Sequence, residues 1–124
     1  MTPETVLGAV DAVMNRPFVW GVCDCVLAAA AVFERLHGVN PLARAGEWQG
    51  RSGAARMLRQ GGGLARLAEA QARVIGLQDG HATGGLAVSA DGRSLLVCIQ
   101  PGFWAGKTKS GFAIVRQAGQ GWHA

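Results

Sequence analysis

The sequence predicts an α+β domain in which helices come first and a small antiparallel sheet follows. Two observations support this class. Apolar residues recur at helical spacing through the first half of the chain, whereas from Leu77 onward glycines separate short apolar runs. With 124 residues, the chain is long enough to bury a core, and we expect a single domain over residues 1–124.

The first two helices have clear start and stop signals. Thr2-Pro3-Glu4 provides a capping hydroxyl, a proline at the first helical position and an acid in the first turn, and Pro17 lies just beyond the expected end. A second helix is predicted from Asp24 to Leu36, with Gly38 as its left-handed cap. Its run of small residues over 28–31 favours close packing, so we expect this helix to be central and buried.

The middle of the chain predicts two more helices. Ser52 is a candidate cap for a third helix that ends near the three glycines at 61–63, and Leu64, Leu67 and Val74 suggest a fourth. The glycine run lacks the spacing and the Lys-Ser/Thr of a phosphate-binding loop, which argues against nucleotide binding.

Three strands are expected after residue 77. They cover 86–89, 94–100 and 112–115, and the Asp91-Gly92 pair between the first two is typical of a hairpin turn. The strand at 94–100 is apolar on both faces, as in the centre of a sheet. Residues 103–107 follow a Pro-Gly turn and are interpreted as an exposed loop tip. Phe103 and Trp104 there, and Trp48 in an earlier loop, are candidate interface residues.

Cys25 is the candidate nucleophile. In the first turn of the second helix, it would lie near unpaired N–H groups and the positive end of the helix dipole, which favours the thiolate. Asp24 is interpreted as a helix cap rather than a catalytic acid, and Cys25 also fits the role of a small buried apolar residue. The odd cysteine count and the Cys23-x-Cys25 spacing do not suggest a zinc site, so we expect neither a metal nor a cofactor.

The charge balance is basic, with a formal net charge of +4 and a pI near 9.6. A basic face could meet nucleic acid, an anionic cell-wall polymer or an acidic neighbouring subunit, although the solvated side of two helices explains it equally simply. No nucleic-acid motif is visible, so we do not expect nucleic acid as the main partner.

No apolar run approaches the ~18–20 residues of a membrane span, and no secretory signal is apparent at the N-terminus.

The segment Phe18-Val19-Trp20-Gly21, followed by Asp24-Cys25, resembles the NlpC-type bacterial cell-wall cysteine peptidases of the papain-like superfamily. More closely, the chain resembles a small phage-encoded domain family of unknown function that occurs among tail genes. This resemblance also includes the glycine-rich hairpin and Trp122 near the C-terminus. It implies a papain-like fold with Cys25 in the nucleophile's position.

The chain departs from the peptidase pattern where the base should be. Where the superfamily has Gly-Asp, this chain has Gly84-Gly85, and where the superfamily has the histidine, this chain has Ser94. A cysteine nucleophile normally needs a base, and losing such a partner costs about 10³-fold or more in rate. His81, in the loop before the sheet, is a possible substitute base. We expect His37 to be structural and His123 to be mobile.

The resemblance and this gap lead to three hypotheses. The first is a mainly structural protein of the phage virion, located at the tail tip after synthesis in the host cytoplasm and bound to hub or distal-tail proteins. The second is an active endopeptidase that cuts host peptidoglycan cross-links, with Cys25 as nucleophile and His81 as base. The third and weakest, prompted only by the positive charge, is a nucleic-acid-binding accessory.

Overall fold

The computed structural model describes residues 1–42 and 63–124. The predicted helix that begins at Ser52 and the interface candidate Trp48 lie outside the described residues. The described helices are α1 (Pro3–Met14), α2 (Leu27–His37) and α3 (Leu64–Val74). The strands are β1 (Gln78–Asp79), β2 (Leu86–Val88), β3 (Leu95–Gln100), β4 (Phe103–Lys107), β5 (Phe112–Val115) and β6 (Gly121–His123).

The helix signals in the sequence are confirmed. The Thr2 hydroxyl accepts a hydrogen bond from the Thr5 backbone N–H at 3.2 Å, and Pro3 opens α1. Gly38 ends α2 with a φ of 76°, the left-handed conformation that glycine adopts without strain. The start of α2 was predicted too early, because its first helical residue is Leu27 rather than one near Asp24.

The six strands form one antiparallel sheet in the order β1-β6-β2-β3-β4-β5. The α+β class is therefore confirmed, and β3 is buried along nearly its whole length, as expected of a central strand. Its side chains alternate between the two faces of the sheet. Leu95, Val97 and Ile99 face the helices and join the main core.

The main core lies between the sheet and the helices. It contains the buried faces of α1 and α2 together with side chains from α3 and the sheet. The small side chains of Ala28, Ala29 and Ala30 are at most 2% exposed, so one face of α2 is buried as predicted, whereas Ala31 on the other face is exposed. A smaller cluster, formed by Ala87, Leu96, Cys98 and Trp104, lies on the opposite face of the sheet.

The prediction of an exposed loop at residues 103–107 was wrong. These residues form β4, which pairs with β3 on one side and β5 on the other. Trp104 is only 7% exposed, so it packs within the second cluster instead of projecting from a loop tip. Phe103 is half-buried, and the Arg116 guanidinium lies 4.0 Å from the centre of its ring. Neither aromatic residue projects into solvent as the interface prediction supposed.

Lys107 joins the end of α1 to the β4–β5 hairpin. Its side chain is buried, and its ammonium donates hydrogen bonds to the carbonyls of Arg16, Thr108 and Gly111. A buried ammonium is tolerated where its donors are satisfied, so this lysine has a structural role.

No helix in the described part of the chain is long and apolar enough to cross a membrane.

Candidate functional site around Cys25

The turn before α2 is organised by the carboxylate of Asp24. One oxygen accepts from the N–H groups of Val26 at 3.0 Å and Leu27 at 2.8 Å, and the other accepts from Gly21 N–H at 3.0 Å. Asp24 is only 1% exposed. The carboxylate therefore binds the free donors at the start of α2, and the prediction that Asp24 is a cap is supported.

Cys25 lies between this turn and the hairpin that joins β2 to β3. Its backbone carbonyl accepts a hydrogen bond from Leu95 N–H at 3.3 Å, and its thiol donates to the carbonyl of Arg93 at 3.7 Å. Ser94 lies between these two partners in the chain, and its side chain is close enough to the Cys25 thiol to lower the pKa of that thiol. The fold thus brings Cys25 into contact with Ser94, the residue that occupies the histidine position in the resemblance.

The hairpin that contacts Cys25 is fixed by its own hydrogen bonds. Asp91 accepts from the Ser89 hydroxyl at 2.6 Å and from Arg93 N–H at 3.0 Å, and Ser94 N–H donates to the Ser89 oxygen at 3.0 Å. The bond from Ser89 and the one from Arg93 N–H lower the pKa of the Asp91 carboxyl. The Ser94 side chain is therefore carried on a well-ordered turn of the chain.

The electrostatic environment of Cys25 opposes the thiolate. Burial raises the pKa of the Cys25 thiol, the Asp24 charge raises it further, and the hydrogen bond from Ser94 only partly offsets them. The expectation that the helix dipole activates this thiol was therefore wrong. Cys25 precedes the first helical residue, and Asp24 takes the N–H donors that would have stabilised a thiolate.

The histidines lie at other places in the described structure. The His81 ring packs edge-on against Trp104, with ring centres 5.1 Å apart, and Trp104 belongs to the cluster on the face opposite the helices. Cys25 packs against the helix-side core, so the sheet separates it from His81. A role for His81 as substitute base would need a rearrangement of this loop.

His37 and His123 are also held away from Cys25. The His37 Nε2 lies 2.8 Å from the carbonyl oxygen of Gly84, and its ring packs against Phe33, which agrees with a structural role. His123 lies in β6 and was not expected to be in a strand. Its Nδ1 is 3.0 Å from the carbonyl oxygen of Ala124.

The other two cysteines are buried and separate from Cys25. The Cys23 thiol donates to the carbonyl of Val13 at 3.7 Å, and Cys98 belongs to the second cluster. All three cysteines are free thiols. In the described residues, no group of three or more His, Cys, Asp or Glu side chains is arranged to hold a metal ion.

Sequence reasoning missed two features near the site. The first is the exposure of the turn before Cys25, where Val22 is 74% exposed and Trp20, expected in the core, is 40% exposed. The second is an open groove of about 400 Å³ on the sheet face opposite the helices, lined in part by Ser94, Leu96, Gly106 and Val115. The glycine in β4 was the available signal for the groove, since a Cβ at Gly106 would lie 2.8 Å from the Leu96 side chain.

The fold and this site define a class: an α+β domain with a cysteine just before its central helix, next to the hairpin segment that contains Ser94. Residues 3–124 match a family described as a domain of unknown function (DUF6950), and the chain belongs to that family. No curated protein and no solved structure matches the chain.

Proposed function

We propose that this protein is a structural component of a phage tail tip, built on a cell-wall peptidase fold that has lost its catalytic base. The observation that carries the proposal is that Cys25 hydrogen-bonds to both chain neighbours of Ser94, Arg93 and Leu95, so that Cys25 and Ser94 lie side by side. The NlpC-type resemblance assigns these two residues to the nucleophile and histidine positions, and such a pair must lie side by side in an active enzyme. A serine at the second position cannot take a proton from a thiol near neutral pH.

Two further observations support a non-catalytic role. The thiol has a raised pKa, and its sulfur lies 3.7 Å from the Arg93 carbonyl oxygen, a contact that favours a protonated thiol over a thiolate because two negative oxygen and sulfur atoms repel each other. Gly85 lies at the second position of the superfamily's Gly-Asp pair. A Cβ there would be 2.6 Å from the carbonyl oxygen of Trp122, so this backbone has no room for an aspartate. The location in a tail and the binding to hub or distal-tail proteins derive from the resemblance to phage-encoded domains.

Thiol alkylation tests the loss of the base directly. The rate of reaction with iodoacetamide is measured against pH for the unsubstituted protein, with Cys25→Ala subtracted as background. We expect the Cys25 rate to rise only above about pH 9, since the pKa of the thiol is raised from 9.0. A rate that already titrates near or below pH 7 would contradict the proposal.

A gain-of-base variant sharpens this test. In Ser94→His, a protonated imidazole beside Cys25 should lower the pKa of the thiol by at least about 1. The matched control is Ser110→His, in the exposed turn of the β4–β5 hairpin, which should leave the alkylation profile unchanged. Equal profiles for the two variants would mean that position 94 does not correspond to the histidine position.

The tail location is tested on phage particles that encode this chain. We expect the protein to co-purify with tails in fixed stoichiometry, and particles carrying Cys25→Ala to assemble and infect normally. Absence from purified tails would refute the structural role. Release of peptide fragments from cell walls by purified protein, abolished by Cys25→Ala, would establish the peptidase alternative instead.

A further inference from the structure

The open groove on the sheet face opposite the helices has an apolar floor. Trp104 in β4 belongs to the second cluster on that face and pairs with Val115 in β5. Two positions further along β4, Gly106 pairs with Ala113. Because paired residues on neighbouring strands share a face of the sheet, Val115 and Ala113 lie in the groove together with Leu96. The floor therefore consists of small and aliphatic groups.

Gly106 keeps this floor open. Its φ is not positive, so a residue with a side chain could adopt the same backbone conformation. A Cβ at this position would, however, lie 2.8 Å from the Leu96 side chain. A larger residue would therefore displace Leu96 or fill the groove.

The rim of the groove provides hydrogen-bonding groups. The hairpin between β2 and β3 contributes Ser89, Asp91 and Ser94, and the rim also includes Thr108, after β4, and Gln117, after β5. An apolar floor with a few polar groups around it is the usual composition of a small-ligand site, and such sites have volumes of about 300–1,000 Å³. The groove, at about 400 Å³, agrees with both properties.

Asp91 is the charged group that the described rim presents to a ligand. Its side chain is exposed, and the hydrogen bonds from Ser89 and Arg93 N–H lower the pKa of its carboxyl, so it is ionised at neutral pH. Both bonds are to Oδ1, which leaves Oδ2 available. In the described part of the chain, Asp91 takes part in no ion pair. The ammonium of Lys107, also at the groove, is bound to three backbone carbonyls.

We propose that this groove binds an alkylammonium group, a primary ammonium at the end of a short aliphatic chain, as in a lysine side chain or a free alkylamine. The Asp91 carboxylate has the charge opposite to that of the ammonium. An ammonium has three donors, and the oxygens of the neighbouring rim residues are acceptors for those that Asp91 does not bind. The aliphatic chain covers the apolar floor. This inference goes beyond the proposed function and does not depend on it.

Titration with n-pentylammonium chloride, followed by NMR of the isotope-labelled full-length protein, tests the proposal. The amide signals of the residues at the groove should shift, with a dissociation constant on the order of 1–10 mM for a ligand this small. Pentanoate has a similar apolar chain and the opposite charge, so it should bind at least about tenfold more weakly. Equal affinities for the two ions would overturn the proposal, as would the absence of shifts up to about 100 mM pentylammonium.

A neutral substitution of Asp91 tests the charge. Asp91→Asn keeps an oxygen that can accept from Ser89 and Arg93 N–H, so the hairpin is retained, but the affinity for pentylammonium should fall at least about tenfold. The matched control is Asp79→Asn, which removes an exposed carboxylate from β1 at the edge of the sheet and should leave the affinity unchanged. Equal affinities for the two variants would contradict a role for Asp91.

Two neighbouring positions in β5 test the location. Ala113→Trp places an indole in the groove and should weaken pentylammonium binding at least about tenfold. The matched control is Ile114→Trp, because Ile114 is also exposed but pairs with Ala105, which lies on the helix side of the sheet. This control should bind pentylammonium as the unsubstituted protein does. If both variants bind equally well, the ligand does not occupy the groove.

A blocked lysine, N-acetyl-lysine methylamide, distinguishes the two sources of an alkylammonium group. Tighter binding of the blocked lysine than of pentylammonium would assign the groove to the side chain of a peptide. Weaker binding would assign it to a free amine, and both results support an alkylammonium site. Binding of the blocked lysine that survives Asp91→Asn unchanged would count against the site for either source.

Discussion

Replacing Asp24 by alanine should remove much of the stability of the turn that precedes α2. The carboxylate is 1% exposed and accepts hydrogen bonds from the N–H groups of Gly21, Val26 and Leu27. Loss of a cap costs about 1 kcal/mol, and each further buried donor left without a partner costs about 1–3 kcal/mol. Because the bonds from Gly21 and Leu27 are only partly buried, Asp24→Ala should lower the free energy of unfolding by about 3–5 kcal/mol, in the lower part of the range that these costs allow.

Asparagine at this position separates the geometry from the charge. Asp24→Asn keeps one acceptor oxygen for Val26 and Leu27 but loses an acceptor for Gly21, so the expected cost is about 1–2 kcal/mol. The matched control is Asp11→Ala on the exposed side of α1, where the carboxylate accepts from the Asn15 side chain. That change should cost no more than about 0.5 kcal/mol.

Urea denaturation followed by circular dichroism measures all three variants. A total stability of about 5–15 kcal/mol makes a loss of 3–5 kcal/mol easy to detect. If the free energy of unfolding of Asp24→Ala lies within about 1 kcal/mol of that of the unsubstituted protein, the capping argument fails.

The alkylation assay gives an independent readout. Because the Asp24 charge raises the pKa of Cys25, Asp24→Asn should lower that pKa and speed the reaction at a given pH.

Three further predictions follow from the packing. Lys107→Met leaves three carbonyls without their donor and should lower the free energy of unfolding by about 2–4 kcal/mol, and an unchanged urea midpoint would contradict this. Burial raises the pKa of Cys98 from 9.0 to about 11. The neutral thiol therefore contributes its full stabilisation below pH 9, and up to about 3 kcal/mol of the free energy of unfolding should be lost as the pH rises through 11. Cys98→Ala should remove this loss from denaturation curves measured at alkaline pH. Gly85→Ala should cost about 2 kcal/mol or more, because its Cβ would lie 2.6 Å from the Trp122 carbonyl oxygen. Gly8→Ala, with open space around it in α1, should instead stabilise the fold by about 0.5–1 kcal/mol. Thermal unfolding of both glycine variants measures these two effects.

Local signals in the sequence predicted the elements that depend on local chemistry. The caps at Thr2 and Gly38 fixed one end each of α1 and α2, and the Asp91-Gly92 pair fixed the hairpin between β2 and β3. Strand β4 was missed because Gly106 and Lys107 are poor strand formers on their own. Its conformation comes from pairing with β3 and β5, and the burial of Lys107 depends on carbonyls contributed in part by Arg16, far away in the chain.

The error at Cys25 has a different origin. The dipole argument treated the cysteine as the group nearest the helix N-terminus, although the same segment contains an aspartate one residue earlier. A carboxylate competes for the same N–H donors and, once bound there, its charge opposes a second anion beside it. Burial is the largest cause of the raised pKa of Cys25 and the Asp24 charge raises it further, so only this second contribution could have been anticipated from the Asp24-Cys25 pair.

The contact between Cys25 and Ser94 could not have been derived from local sequence, because it joins α2 to a hairpin 68 or more residues away. Only the family resemblance aligned the two positions before their contact was known. In the peptidases that the sequence resembles, the residues at these two positions are a nucleophile and its base. Here the same junction is closed by a backbone bond from Leu95 N–H to the Cys25 carbonyl and by a protonated thiol that donates to Arg93. Both bonds fasten the hairpin to the start of α2, and neither needs a base, so this geometry is compatible with the structural role proposed above.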